Sequence, residues 1–282
     1  MNYYRFYRLD FCLRNLGLGL MALLTLEALP GIFPASLAIF QILLVQMQSF
    51  SANNYFDSFI WGEDNYISEL VREGVSKKRI VFLLFLPVLI LMLTLPFSDK
   101  SFMILILYMF LFSLYQLPGV RKVFKEHYLP SIIINSICLG TILYLYPFVF
   151  LSGGVTFTAF IFSVIFFFYM SFHEVVHQIA HMGDDRIYSL PQAAGIPGAS
   201  RIGVGFLVLA ASAAAWALIR DPSRYFFFTV TVIFSLVRIL KLFRIKPERE
   251  SFSKIRNSPD KFYSFQEGAC YAALLLLRHI LH

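Results

Sequence analysis

The sequence predicts an all-α, polytopic membrane protein: one transmembrane domain over residues 1–282 with nine transmembrane helices. Three observations carry this. The chain has 282 residues, of which 58% are hydrophobic and only 15% charged, with 32 Phe; a soluble fold of this size cannot bury so much apolar surface. Apolar runs long enough to cross the hydrocarbon core, which takes about 20 helical residues, fall at 13–29, 32–50, 80–97, 101–117, 130–151, 155–172, 202–219, 224–244 and 265–281. Threading the chain through these nine spans puts 20 of the 24 Lys and Arg residues on one side, leaving Lys100, Arg220, Arg224 and Arg278 on the other. Basic residues mark the cytoplasmic face, so the N-terminus is expected in the cytoplasm and the C-terminus on the opposite side.

The boundaries follow from residues that stop helices: Pro30-Gly31, Pro96, Pro118-Gly119, Pro130, Gly153-Gly154 and Pro222. The opening stretch MNYYRFYRLDFCLRNLGLGL has tyrosines and an acid among its arginines and no small-residue cleavage site, so the first helix is expected to be retained. Connections at 30–31, 98–100, 152–154 and 220–223 are tight, whereas 51–79, 118–129, 173–201 and 245–264 are long and all fall on the basic, cytoplasmic face. Functional residues collect on such loops. Cys12, Cys138 and Cys270 form no CxxC pair and read as packing residues. The net charge of +7 is accounted for by cytoplasmic loops and calls for no nucleic acid; the basic stretch 238–261 reads as a surface against anionic lipid headgroups.

Two polar constellations interrupt the apolar pattern. The first follows the second span, where Asn53 or Asn54 and Asp57 share a face if the helix continues, with Asp64 recurring seven residues on. Amide and carboxylate oxygens so stacked suit a hard cation such as Mg²⁺ that also holds substrate phosphates; the alternative is ordinary helix-end chemistry. The second is the stretch HEVVHQIAHMGDD, His173 to Asp185. Ionisable groups at membrane depth cost about 2.5 to 3.5 kcal/mol each and call for partners, water, metal or substrate. Glu174, His177, His181 and Asp184 or Asp185 recur at helical spacing along one stripe.

One reading of this stretch is HExxH over His173–His177, with two histidines on Zn²⁺ and Glu174 as general base, as in an intramembrane zinc protease of the site-2 or CAAX-processing kind. A third ligand is needed, and four residues in line on a straight helix cannot close a tetrahedron. Six histidines are also too few for a diiron membrane desaturase. A transporter is disfavoured, because the polar residues gather at helix ends on one face rather than along broken helices at the midplane.

Both constellations taken together resemble the UbiA superfamily of intramembrane prenyltransferases. Asn53-Asn54-Tyr55-Phe56-Asp57 is similar to the family's NDYFD after helix 2, and Ser68-Glu69-Leu70-Val71-Arg72 to its NPLVR loop. Tyr115-Gln116-Leu117-Pro118-Gly119-Val120-Arg121-Lys122 resembles the segment after helix 4, and Gly183-Asp184-Asp185 through Ser189-Leu190-Pro191 the end of the second motif. The four matches come in order and span most of the chain. Departures are clear too: Trp61 stands where the first motif ends in an acid, Asn54 replaces an acid, and Gln178 and His181 fall where the second motif has aspartates.

What the resemblance implies is a nine-helix bundle around a central cavity opening to the cytoplasmic side, in which Mg²⁺ assists transfer of a prenyl group from a prenyl diphosphate to an aromatic or other lipophilic acceptor. On this reading Asp57, Asp184, Asp185 and Glu174 are the candidate metal ligands, and Asp57, Asp184, Asp185 and Tyr115 carry the chemistry. Asn53, Asn54, Arg72, Arg121, Lys122, His177 and His181 are the candidate substrate contacts, the cations stabilising charge that develops as the carbon–oxygen bond breaks. Aromatic walls suit a carbocation-like allyl group. A terpene cyclase on the same fold, the zinc protease and a lipid-binding protein remain as alternatives.

Overall fold

The computed structural model describes residues 1–26, 28, 30–60, 62–183, 188–258 and 263–281. Among them the long helices are α1 (Leu9–Leu24), α2 (Ile32–Phe59), α3 (Lys77–Leu93), α4 (Phe102–Gln116), α5 (Tyr128–Ser152), α6 (Phe157–Ala180), α7 (Leu190–Arg220), α8 (Thr229–Arg244) and α9 (Tyr263–Leu281). Short helices at Tyr3–Phe6, Tyr66–Arg72, Arg121–Phe124 and Arg249–Asn257 lie between them, and no strand occurs among the described residues. Among the described residues, six helices are long and apolar enough to cross a membrane: Ile32–Phe59, Lys77–Phe97, α5, α6, α7 and Phe226–Arg244, with α4 a shorter apolar helix. The protein is an integral membrane protein.

Local chemistry explains the helix limits. Ser76 caps α3 through Arg79 N, Thr156 caps α6 through Ala159 N, and at the start of α7 the Ser189 N–H donates to Gln192 Oε1 at 2.8 Å. Gly153 closes α5 in the left-handed region, φ +77°, where a side chain would be strained. Within α7, Gly195 (φ +69°) followed by Pro197 breaks the helical path, so residues 190–194 form a separate turn of helix.

Helices α5 and α6 form the centre. They bury 72% and 67% of their most apolar stretches, against 28% for the Lys77–Phe97 span and for α7. On the outer helices Phe82, Leu93, Ile219 and Phe243 are more than half exposed, a belt of large apolar side chains that suits lipid. Inside, Arg238 of α8 and Glu267 of α9 pair at 2.8 Å and tie the C-terminal helix to the bundle.

Two expectations change. Helix α2 ends at Phe59 rather than continuing to Asp64, so Asp64 leaves the face it was expected to share with Asp57; it is exposed and paired with Arg72 at 2.9 Å. Helix α6 runs on past residue 172 to Ala180, and α7 begins at Leu190 rather than 202, because capping and buried contacts extend both helices beyond their most apolar windows.

A close backbone contact joins the two central helices. Residues Ser136–Ile142 of α5 adopt a π-helical turn, and a Cβ placed on Gly140 there would lie 2.5 Å from the Phe166 carbonyl oxygen of α6. Overpacking of this kind costs about 1–3 kcal/mol. Gly140→Ala is therefore expected to lower the thermal unfolding midpoint in detergent by several degrees. Gly205→Ala, where a Cβ meets nothing within 4 Å, should leave the midpoint unchanged or slightly raised.

Candidate active site

A cavity of about 360 Å³ opens between the ends of α2, α4, α5 and α6. Its most ordered wall is a cluster of buried charges. Asp57, near the end of α2, is 6% exposed, and Asn53 one turn earlier donates to its Oδ2 at 2.6 Å. After α4, the Pro118-Gly119 turn leads into Arg121–Phe124, a short helical segment that delivers Arg121 and, four residues on, Lys125. Arg121 donates from Nη1 to Asp57 Oδ1 and from Nη2 to Glu63 Oε1 at 3.1 Å, and its Nε lies 3.4 Å from Glu126 Oε1. Lys125 Nζ donates to Asp57 Oδ1 at 2.7 Å, to Asp57 Oδ2 at 2.9 Å and to Asn53 Oδ1 at 3.0 Å. Burial pulls the Lys125 ammonium below the ordinary lysine pKa, and Asp57 opposes that pull.

The facing wall is the last two turns of α6. Glu174 accepts from Ser131 Oγ and from Gln178 Nε2, both at 3.2 Å. Gln178 in turn accepts the backbone N–H of Leu190 at 3.0 Å, which fastens the start of α7 to the end of α6. The His177 and His181 rings pack with centroids 4.7 Å apart, tilted by 52°. Tyr115 reaches in from α4, its hydroxyl 3.4 Å from Ser131 Oγ and accepting from Asn135 Nδ2 at 3.4 Å. The two walls are also joined through backbone: Tyr188 N donates to Glu126 O at 3.0 Å and Tyr128 N to Tyr188 O at 3.1 Å.

The remaining rim is cationic and apolar. Arg8, Arg14 and Arg256 line it beside Phe11, Phe50 and Phe112. Arg8 precedes α1 in the left-handed region, φ 49°, with its guanidinium 3.9 Å above the Phe11 ring, and burial lowers its pKa. A non-glycine residue held in that region marks a backbone constrained by its surroundings.

The structure gathers Asn53, Asp57, Tyr115, Arg121, Glu174, His177 and His181 around the cavity. It does not gather Asn54, Arg72 or Lys122. Asn54 lines no part of it, and its carbonyl accepts from Asn65 Nδ2 at 2.8 Å. Arg72 is exposed and held by Asp64, because the end of α2 at Phe59 turns that loop outward. Lys122 is exposed, since on the short helix it stands about 100° from Arg121 while Lys125 shares its face. Asp184 and Asp185 lie outside the described residues. Sequence reasoning passed over Lys125, Arg8, Arg14, Ser131, Asn135 and Arg256; for Lys125 the i, i+4 spacing from Arg121 was the available signal.

The oxygens of Asp57 and Asn53 are of the kind a hard divalent cation takes. They are already spent on Lys125 and Arg121, so this donor set does not fit a divalent ion beside the ammonium. Among the described residues no group of three or more His, Cys, Asp or Glu is arranged to hold a metal. The HExxH match therefore gains no third ligand there.

Comparison with known proteins fits this architecture. Solved structures of a UbiA homolog from Archaeoglobus fulgidus, one bound to GPP and Mg²⁺ and one to DMAPP and Mg²⁺, each match with a TM-score of 0.76 at 13% identity. The match covers 97% of this chain, and 97% and 96% of theirs. The apo structure of a UbiA homolog from Aeropyrum pernix K1 matches with a TM-score of 0.69 at 16% identity, over 96% of this chain and 98% of that one. No curated protein matches by sequence. The model of the UbiA prenyltransferase family matches residues 16–264, and with that match over most of its length the chain belongs to the UbiA prenyltransferase family.

Proposed function

We propose that the protein transfers a prenyl group from a prenyl diphosphate to an aromatic or other lipophilic acceptor within the membrane. The observation that carries this is the cavity itself: buried Arg121 and Lys125 on one wall, Arg8, Arg14 and Arg256 on the rim, and phenylalanines between them. A diphosphate needs concentrated positive charge, and its tail needs an apolar channel. Both are provided in a family whose solved members include one bound to GPP or DMAPP with Mg²⁺.

In the proposed reaction the carbon–oxygen bond breaks and the diphosphate leaves with the electron pair. Arg121 and Lys125, held in place by Asp57 before the substrate arrives, stabilise the charge on the leaving oxygens through their field, the Lys125 N–H groups being taken by Asp57 and Asn53. Phe11, Phe50, Phe112 and Tyr115 enclose the electron-poor allyl group with ring faces and keep water from it. The acceptor's nucleophilic atom bonds to the allylic carbon, and its proton passes to His177 or His181, which face the cavity. Mg²⁺ is the proposed cofactor, with Asp184 and Asp185 as the ligands of the second motif. The proposed topology has nine crossing helices, the cavity and the N-terminus on the cytoplasmic side and the C-terminus opposite, on the strength of the basic-residue distribution.

The test is turnover of labelled GPP or DMAPP by purified protein with Mg²⁺, reading diphosphate release. Arg121→Ala and Lys125→Ala should each reduce kcat/KM by about a hundredfold or more. Arg72→Ala and Lys122→Ala should stay within about threefold, as expected for exposed charges. No binding of either diphosphate, or release indifferent to Arg121 and Lys125, would overturn the assignment. Separately, Asp57→Ala strands two buried cations and should cost about 3–5 kcal/mol of stability. Adding Lys125→Met removes one of them, so thermal unfolding of the double variant should show less than the sum of the single losses.

A further inference from the structure

We propose that Lys125 stands in for a divalent cation at the first motif, so that the Asn53–Asp57 donor set holds an ammonium, not a metal ion, in the working protein. An ammonium has three N–H donors, and here they meet three oxygens: Asp57 Oδ1 at 2.7 Å, Asp57 Oδ2 at 2.9 Å and Asn53 Oδ1 at 3.0 Å. Those are the oxygens a metal ion at this motif would take. Mg²⁺ sits about 2.0–2.1 Å from its oxygen ligands, so an ion gripping the same atoms would occupy the ammonium's own place. The two are mutually exclusive.

The surroundings hold Lys125 there. Asp57 Oδ1 also accepts from Arg121 Nη1, and Asn53 Nδ2 closes the ring on Asp57 Oδ2 at 2.6 Å, leaving each member of the cluster partnered. Lys125 is 8% exposed and Asp57 6%, so expelling the lysine would strand a charge away from water. A lysine supplies one positive charge where Mg²⁺ supplies two. The rim arginines Arg8, Arg14 and Arg256 supply positive charge at the same cavity. The consequence is a first motif that is charged from within and that uses one divalent ion fewer than two complete aspartate motifs would.

This inference rests on the prenyl-transfer reading only for the identity of the anion; the number of ions bound at Asp57 does not depend on it. The experiment is equilibrium binding of Mn²⁺ to the purified full chain, read by electron paramagnetic resonance, with inorganic pyrophosphate present and absent. Wild type and Asp57→Asn are expected to bind the same number of ions with affinities within about threefold, the change expected where no ligand is lost. Lys125→Met should gain one Mn²⁺ per chain, and Lys125→Met with Asp57→Asn should lose it again. A wild-type ion lost or weakened about tenfold or more by Asp57→Asn would overturn the proposal. So would a Lys125→Met protein that gains no ion. Should either variant fail to fold, Lys125→Gln and Asn53→Ala give the same two readings. Pyrophosphate that binds none of these proteins counts against the prenyl-diphosphate reading instead, and leaves the ion count to decide the role of Lys125.

Discussion

The carboxylate of Asp57, shared between Arg121 and Lys125, is the interaction on which the site depends. It joins α2 to the segment between α4 and α5 at a depth where none of the three charges reaches water freely. Breaking such a cluster from one side leaves an uncompensated charge, which is costlier than the pair is favourable. The cluster therefore fixes geometry more than it adds net stability. With Arg121 also on Glu63, the loop after α2 is drawn over the same point. The end of α2, the loop after it and the Arg121–Lys125 segment thus meet at the Arg121 guanidinium.

The apolar bundle makes that convergence possible. Central helices α5 and α6 approach closely at Gly140, and the outer helices give their large apolar side chains to the lipid side. A site built at the ends of such helices inherits their rigidity. Glu174, Gln178 and Ser131 then form a satisfied polar layer between the apolar core and the cavity, which keeps the facing wall from collapsing onto the charges.

Much of the fold was legible because a membrane imposes long apolar runs, and these cannot be mistaken for soluble helices. Boundaries were legible where Pro or Gly marked them, and were not where polar residues continued a helix, as at 173–180. The site was legible in part. Asn53, Asp57 and Arg121 stood out through local motif resemblance, whereas Lys125 lies past the end of the matching segment and joins them only when the short helix turns it through a full revolution. Arg8, Arg14 and Arg256 were counted as markers of the cytoplasmic face. Their place at the rim depends on how the N-terminal arm and the Arg249–Asn257 helix fold back, which no local pattern encodes. Arg72 shows the reverse: a motif match whose side chain is claimed by Asp64 once α2 stops at Phe59.

The paired backbone bonds between Tyr188, Glu126 and Tyr128 carry a further consequence. They tie the strap 126–128 after Lys125 to the strap 188–190 at the entry to α7, with Gln178 as a third rivet. Whatever steadies one strap steadies the other, so the configurational freedom of both is lost in one step rather than two. A ligand held by the lysine side alone would find the opposite strap already in position.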